Sequence, residues 1–215
     1  ITCHEIQRCW RYNIAAWRTL SGLRAFSRDL PFLRDYDWAL FSGSNAPSAV
    51  SSRKALRNFY YCHTIPRFAY DLYNFYYDNL PFWQKPFFPH FAAHVRAVYD
   101  KSIRHMDLVI ANSENIRQRV KKYLGLETIV VNPPCNVTEY AWRGQGDYYL
   151  STARMQRYKR VDVIIEAFLR MPDKKLVVAS GGSDEPKLRR IAGSAQNIFF
   201  VGWQTNVQLS ELVGN

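Results

Sequence analysis

Four basic side chains, Arg154, Arg157, Lys159 and Arg160, crowd into the stretch ARMQRYKR. They sit between an apolar run, DYYLST, and a segment with helical spacing, VDVIIEAFL. The opening turn of a helix presents unpaired N–H groups and a positive dipole end, so a strand-to-helix hinge that also carries cations is suited to an anion. Arginine offers a planar fork that matches two phosphate oxygens, and lysine adds a compact point charge. The competing reading is a solvated turn whose charges do nothing specific. Two further groups invite chemistry. Gly181 and Gly182 follow the apolar run KKLVVAS, where a tight turn with positive φ would account for them. His63 stands in YCHTIPR, at the end of another apolar run, with Arg67 four residues on.

The elements that must position these residues are clearest after Asp147. DYYLSTAR reads as strand, RVDVIIEAFLRM as helix, KKLVVAS as strand, EPKLRRIAGSA as helix, NIFFVGW as strand, and NVQLSELVGN as the start of another helix. Val161, Ile164, Ile165, Phe168 and Met171 recur at helical spacing and predict one buried face. Short continuous apolar runs between helices predict strands covered on both faces, hence a doubly wound parallel sheet of the α/β class. Ligands of such sheets bind beyond the carboxyl ends of the strands, where Arg154 and Gly181-Gly182 fall.

Upstream, DWALFSG, RNFYYCHT, DLVIANS and TIVVNPP predict four more strands. ENIRQRVKKYLG predicts a helix capped by Asn112 or Ser113 and closed by Gly125. The reading is two α/β domains, 1–143 and 144–215, joined at WRGQGD, with mixed helical signals over 1–34.

Composition narrows the classes. The chain has 215 residues, 47% hydrophobic and 15% aromatic, which excludes a disordered chain, and no internal repeat suggests a solenoid. The four cysteines, Cys3, Cys9, Cys62 and Cys135, form no CxxC pair and predict reduced thiols in the cytoplasm. No apolar run approaches the roughly 20 residues that cross a bilayer. Asn136-Val137-Thr138 matches a glycosylation sequon, a pattern short enough to recur by chance. The net charge of +11 admits nucleic acid, an anionic membrane or a phosphorylated substrate as partner.

STARMQRYKRVDVIIEAF, LVVASGGSDEPKLRRIA and NIFFVGW together resemble the nucleotide-sugar domain of family 4 glycosyltransferases, the large retaining group with the GT-B fold. YCHTIPRFAYDLY, DLVIANSENIRQRVKKYLG and VVNPPCNV resemble the later part of that family's acceptor domain, especially in mannosyltransferases of surface-polysaccharide assembly. The resemblance covers most of residues 36–215, with six motifs in order. It implies two Rossmann-like domains facing a cleft. Two family features are missing, the glycine-rich loop after the first N-terminal strand and a pair of glutamates seven residues apart, so the chain reads as truncated at both ends.

What the resemblance implies can be set residue by residue. Arg154 and Lys159 hold the donor's diphosphate and stabilise the charge that grows on it as the sugar departs. They take the role of a divalent metal, so neither metal nor cofactor is implied. Gly181 and Gly182 match the family's glycine pair, while Trp203 and Gln204 stand where its chain passes the nucleotide base. His63 matches the acceptor-side histidine that bonds the transferred sugar or positions the acceptor hydroxyl, the departing phosphate itself taking the acceptor's proton. Arg67 is a candidate for an acceptor phosphate, against a plain surface salt bridge. The implied reaction moves a hexose, mannose from GDP-mannose as the first guess, to a glycan or polyprenyl-linked precursor. A nucleotide-sugar epimerase or hydrolase of the same fold and a non-catalytic fragment remain open alternatives.

The segment YDLYNFYYDNLPFWQKPFFPHF, residues 70–91, is strongly aromatic. Such rings either pack into a core or enter a membrane interface. Residues 1–145 hold 19 Lys and Arg against 11 Asp and Glu, and residues 146–215 hold 10 against 7, so the acceptor side is the more basic. A lipid-linked acceptor and peripheral contact with an anionic inner membrane face fit that asymmetry. The basic residues form no nucleic-acid reading motif, and no nucleic-acid partner is expected.

Overall fold

The computed structural model describes residues 15–50 and 57–214. Cys3, Cys9 and the first part of the helical stretch expected over 1–34 lie outside the described residues. Two compact units divide the chain, Ile1–Pro133 and Pro134–Asn215, so that WRGQGD falls inside the second unit rather than at the boundary.

Among the described residues the first unit carries four parallel strands, β1 (Trp38–Ser42), β2 (Arg57–Cys62), β3 (Leu108–Ala111) and β4 (Ile129–Val130), in that spatial order. Ser42 stands beside Tyr61 in the register, and Cys62 beside Ala111. TIVVNPP yields only two strand residues. Val131 still donates its N–H to the Ala111 carbonyl at 3.0 Å, but Pro133 and Pro134 have no N–H to continue a ladder. Among the described residues the helices are α1 (Ala15–Phe26), α2 (Tyr73–Asp78), α3 (Phe88–Ile103) and α4 (Glu114–Leu124). Helix α4 begins where Ser113 accepts from the Ile116 N–H at 3.4 Å and ends at Gly125, whose φ of 66° favours a residue without a Cβ penalty. Its Ile116, Val120 and Leu124 recur at i, i+4 and i+8 and are buried against the sheet. Tyr60, Cys62 and Ile65 of the β2 region are fully buried, and Tyr99 of α3 donates its hydroxyl proton to the Tyr60 hydroxyl at 3.2 Å.

The aromatic segment divides into a buried part and an exposed part. Tyr70 and Phe88 are buried, with Tyr73, Tyr77 and Phe91 packed beside them. Phe82, Trp83 and Phe87, on the turn that enters α3, are 85%, 56% and 72% exposed.

The second unit has three parallel strands, β5 (Tyr148–Ser151), β6 (Lys175–Val178) and β7 (Ile198–Phe200), with helices α5 (Val161–Leu169), α6 (Glu185–Ala192) and α7 (Asn206–Gly214). Val161, Ile165 and Phe168 of α5 meet Leu176, Val178 and Ile198 of the sheet in one core. Met171, expected on that buried face, is exposed because α5 stops at Leu169 and the chain turns away. The Asn197 amide gathers the carbonyls of Phe168, Met171 and Lys174 at 2.9, 3.1 and 2.9 Å, which ties the end of α5 to the start of β7.

Candidate functional site

The carboxyl ends of β5, β6 and β7 bring together most of the residues singled out in the second half of the sequence. After β5 the chain runs through a short loop whose Met155 is fully buried. This loop is fastened to the one after β6. Ser180 Oγ donates to the Ala153 carbonyl at 2.8 Å, Met155 N–H to the Gly181 carbonyl at 3.0 Å, and Asp184 N–H to the Met155 carbonyl at 3.0 Å. Both neighbours of Arg154 are thus held by the next loop while its own side chain is exposed. Lys159 closes a 3₁₀ turn, Arg157–Lys159, with its ammonium 5.5 Å from the Tyr158 ring centroid. Among the described residues, Arg154, Arg157 and Lys159 have no carboxylate partner. Arg160 differs: it bonds Asp162, Nε to Oδ1 at 3.1 Å, from a left-handed backbone with φ 54°. Burial alone would raise the Asp162 carboxyl, but the Arg160 hydrogen bond and the Val163 N–H hold it below the usual carboxylate range. Three unpaired cations therefore gather before a helix whose first turn adds one ion-paired acid.

The two glycines have a different cause from the one expected. Neither Gly181 nor Gly182 has a positive φ. A Cβ on Gly182 would lie 2.2 Å from the Met155 carbonyl oxygen, and one on Gly181 would lie 2.6 Å from Trp203 Nε1. Close approach of backbone, not turn geometry, requires Gly182, whereas the contact at Gly181 is with an exposed side chain that can move. The Gly181 contact also brings the loop after β7 to the same place, since Trp203 lies across that glycine with its indole 71% exposed. Gln204 folds onto its own backbone, its amide donating to the Val201 and Trp203 carbonyls at 2.8 and 3.3 Å. Arg154, a bare backbone pair and an exposed indole thus share one edge of the sheet, with Lys159 five residues further along the loop after β5. A phosphate needs the first two, and a planar ring can stack on the third.

In the first unit, His63 follows β2 at the carboxyl edge of its own sheet. Its Nε2 lies 3.0 Å from Ser42 Oγ, and its ring meets the Tyr61 ring edge to face at 5.0 Å. Arg67 forms a forked pair with Asp71, at 2.7–3.2 Å, and Arg119 approaches the same carboxylate at 3.5 Å. Burial would raise the Asp71 carboxyl, but the Arg67 hydrogen bonds and the charges of Arg67 and Arg119 bring it below its ordinary value. Arg67 therefore sits in a salt bridge, and two guanidinium groups on one carboxylate leave the cluster net positive. Sequence reading missed Ser42 and Arg119, because only the fold brings them to His63 and to Asp71, and it missed Asp71 although its place four residues after Arg67 was a local signal for the pair. It also passed over the triplet Asp35-Tyr36-Asp37, which has the Asp-x-Asp pattern of metal-binding transferase motifs. That triplet lies just before β1, at the opposite end of the strand from Ser42. Among the described residues no group of three or more His, Cys, Asp or Glu could hold a metal ion, and no helix is long and apolar enough to cross a membrane.

Comparison with known proteins adds the fold's affiliation. No protein-family model matches the sequence, and no curated protein matches it. Among solved structures, the chain resembles the S. aureus TarM G117R mutant in complex with Fondaparinux, alpha-GlcNAc-glycerol and UDP, with a TM-score of 0.59 at 14% identity over 89% of this chain. A second TarM crystal structure gives a TM-score of 0.59 at 15% identity over the same share. The chain spans 38% of the length of each. The fold is α/β of the GT-B kind, built on parallel sheets.

Proposed function

We propose that the chain is part of a retaining glycosyltransferase that moves a hexose from a nucleotide sugar to a glycan or lipid-linked glycan precursor. The observation that carries this reading is the edge formed by β5, β6 and β7, where Arg154, without a carboxylate partner among the described residues, stands on the loop bonded to the Gly181-Gly182 loop, Lys159 follows five residues on, and an exposed Trp203 lies across Gly181. Arg154 and Lys159 bind the diphosphate and stabilise the charge that develops on it as the sugar leaves, a preorganised electrostatic role. Trp203 receives the base. Mannose from GDP-mannose is the first donor to test. UDP-sugars are the second, since one similar structure was solved with UDP. The cations replace a metal, so chelation leaves transfer unchanged. In the first unit, His63 bonds a sugar or acceptor hydroxyl, and the net positive Arg67–Asp71–Arg119 cluster faces an anionic acceptor.

Membrane contact belongs to the same proposal. Phe82, Trp83 and Phe87 project from a turn that satisfies its own backbone, with Gln84, Lys85, Phe87 and Phe88 N–H groups bonded within it. Lys85 lies within this turn, while Arg96 further along α3 is paired with Asp100 at 3.8 Å. Exposed rings beside a lysine suit a lipid interface, and the net charge of the whole chain favours an anionic one.

The test is transfer from radiolabelled GDP-mannose and UDP-sugars to a polyprenyl-linked glycan acceptor by the full-length protein. Lys159→Ala is expected to abolish transfer without unfolding the chain, and unchanged turnover would remove the diphosphate assignment.

A further inference from the structure

His63 is held more firmly than an exposed histidine needs to be. Its flanks are fixed, because Cys62 and Ile65 are fully buried and the Cys62 carbonyl accepts from Asn112 N–H at 3.2 Å. Its ring is fixed as well. Tyr61 is anchored through its hydroxyl, which donates to the Val131 carbonyl at 2.8 Å, and its ring then supports the imidazole edge at 5.0 Å. On the neighbouring strand, Ser42 comes within 3.0 Å of Nε2. Among the described residues nothing bonds Nδ1.

A neutral imidazole has one N–H donor and one acceptor nitrogen, and the bond made at one nitrogen decides the state of the other. The unprotonated imidazole nitrogen is a stronger acceptor than a hydroxyl oxygen, so the favoured bond is O–H···N, from serine to histidine. We propose that Ser42 is a positioning residue for His63: its hydroxyl donates to Nε2, holds the ring as the Nδ1–H tautomer, and leaves Nδ1–H as the donor to a substrate oxygen. The substrate atom, a sugar or acceptor hydroxyl or a phosphate oxygen, rests on the transferase reading. The coupling of Ser42 to His63 does not.

The experiment uses the whole chain labelled with ¹⁵N-histidine, read by long-range proton–nitrogen correlation above the histidine titration range. The molecule contains its own standards. His105 Nδ1 lies 2.7 Å from the Lys101 carbonyl, which can only accept, so His105 displays the Nδ1–H pattern. His90 and His94 are exposed on α3 and display the free equilibrium between tautomers. His63 is expected to match His105 in the native chain, to move to the His90 and His94 pattern in Ser42→Ala, and to stay with His105 in Ser42→Thr. An Nε2–H pattern at His63, or one that ignores Ser42→Ala, overturns the proposal.

In the transferase assay, Ser42→Ala is expected to lower kcat by about tenfold to a hundredfold, the scale of a small misplacement at a reacting centre, with KM for the nucleotide sugar unchanged and Ser42→Thr restoring the rate. Unchanged kcat in Ser42→Ala, alongside loss of transfer in Lys159→Ala, overturns the positioning role and leaves the transferase reading intact. Transfer that survives Lys159→Ala removes the diphosphate reading instead, and the tautomer spectra still decide the Ser42–His63 coupling.

Discussion

Replacing Gly182 with alanine tests how the cation-bearing loop is held. The added Cβ would stand 2.2 Å from the Met155 carbonyl oxygen and 2.6 Å from its carbonyl carbon, both backbone atoms that cannot rotate away. Ordinary contact begins at 3.4 Å, so the loops after β5 and β6 must part by about 1.2 Å. That movement stretches the Met155–Gly181 and Asp184–Met155 hydrogen bonds, each 3.0 Å long. Overpacking a close contact costs about 1–3 kcal/mol, and each hydrogen bond lost costs about 1 kcal/mol. With partial relaxation the sum is about 2–3 kcal/mol. For a unit of roughly 80 residues this lowers the Tm of its transition by about 8–24 °C. The displaced loop also carries Arg154, so affinity for a nucleoside diphosphate should fall below the folding midpoint too. Differential scanning calorimetry with assignment of the second unit's transition, followed by diphosphate titration at 15 °C, measures both. A loss under 0.5 kcal/mol with unchanged affinity would refute the contact argument, since about that much is expected of an unremarkable surface substitution.

Other expectations follow from the first unit. Asp71 binds its proton less readily folded than unfolded. As the pH falls toward the ordinary carboxylate value near 4, the unfolded chain therefore takes up protons first and stability drops. Urea midpoints between pH 3 and 7 should show this acid-sensitive component, and Asp71→Asn should remove it at the cost of lower stability at pH 7. Burial pushes the Cys62 thiol up, although hydrogen bonds from Tyr99 and Tyr60 pull the other way, whereas Cys135 is exposed. Alkylation mapped by mass spectrometry should label Cys135 in the native chain and Cys62 only after denaturation; native labelling of Cys62 would contradict its burial. Gly125→Ala should cost about 1 kcal/mol, the usual penalty for a side chain in the left-handed cap position, with Gly125→Asn closer to neutral.

The alternation of short apolar runs with helically spaced segments made the strands legible, since an apolar run of four to six residues between helices has few other uses. Ser113 and Gly125 marked the ends of α4 because caps are local chemistry. Close approach is not local. Gly182 announces a glycine, but the Met155 carbonyl that requires it lies on another strand's loop. For the same reason Ser42, 21 residues from His63, carried no signal, and the Arg119–Asp71 contact spans 48 positions. The buried and exposed rings of the aromatic segment could not be told apart by composition, because Phe87 and Phe88 are adjacent and identical, and only the fold at the start of α3 turns one outward and one inward.

The proposed transferase depends on a diphosphate site at the carboxyl ends of β5, β6 and β7. Calorimetric titration of the chain with GDP and UDP, with and without chelator, measures it directly. At least one of these should bind without metal and quench Trp203 emission, with about a tenfold to hundredfold loss in Arg154→Ala and in Lys159→Ala, the range for a charge-assisted hydrogen bond. Equal affinity in the native chain and both variants would contradict it.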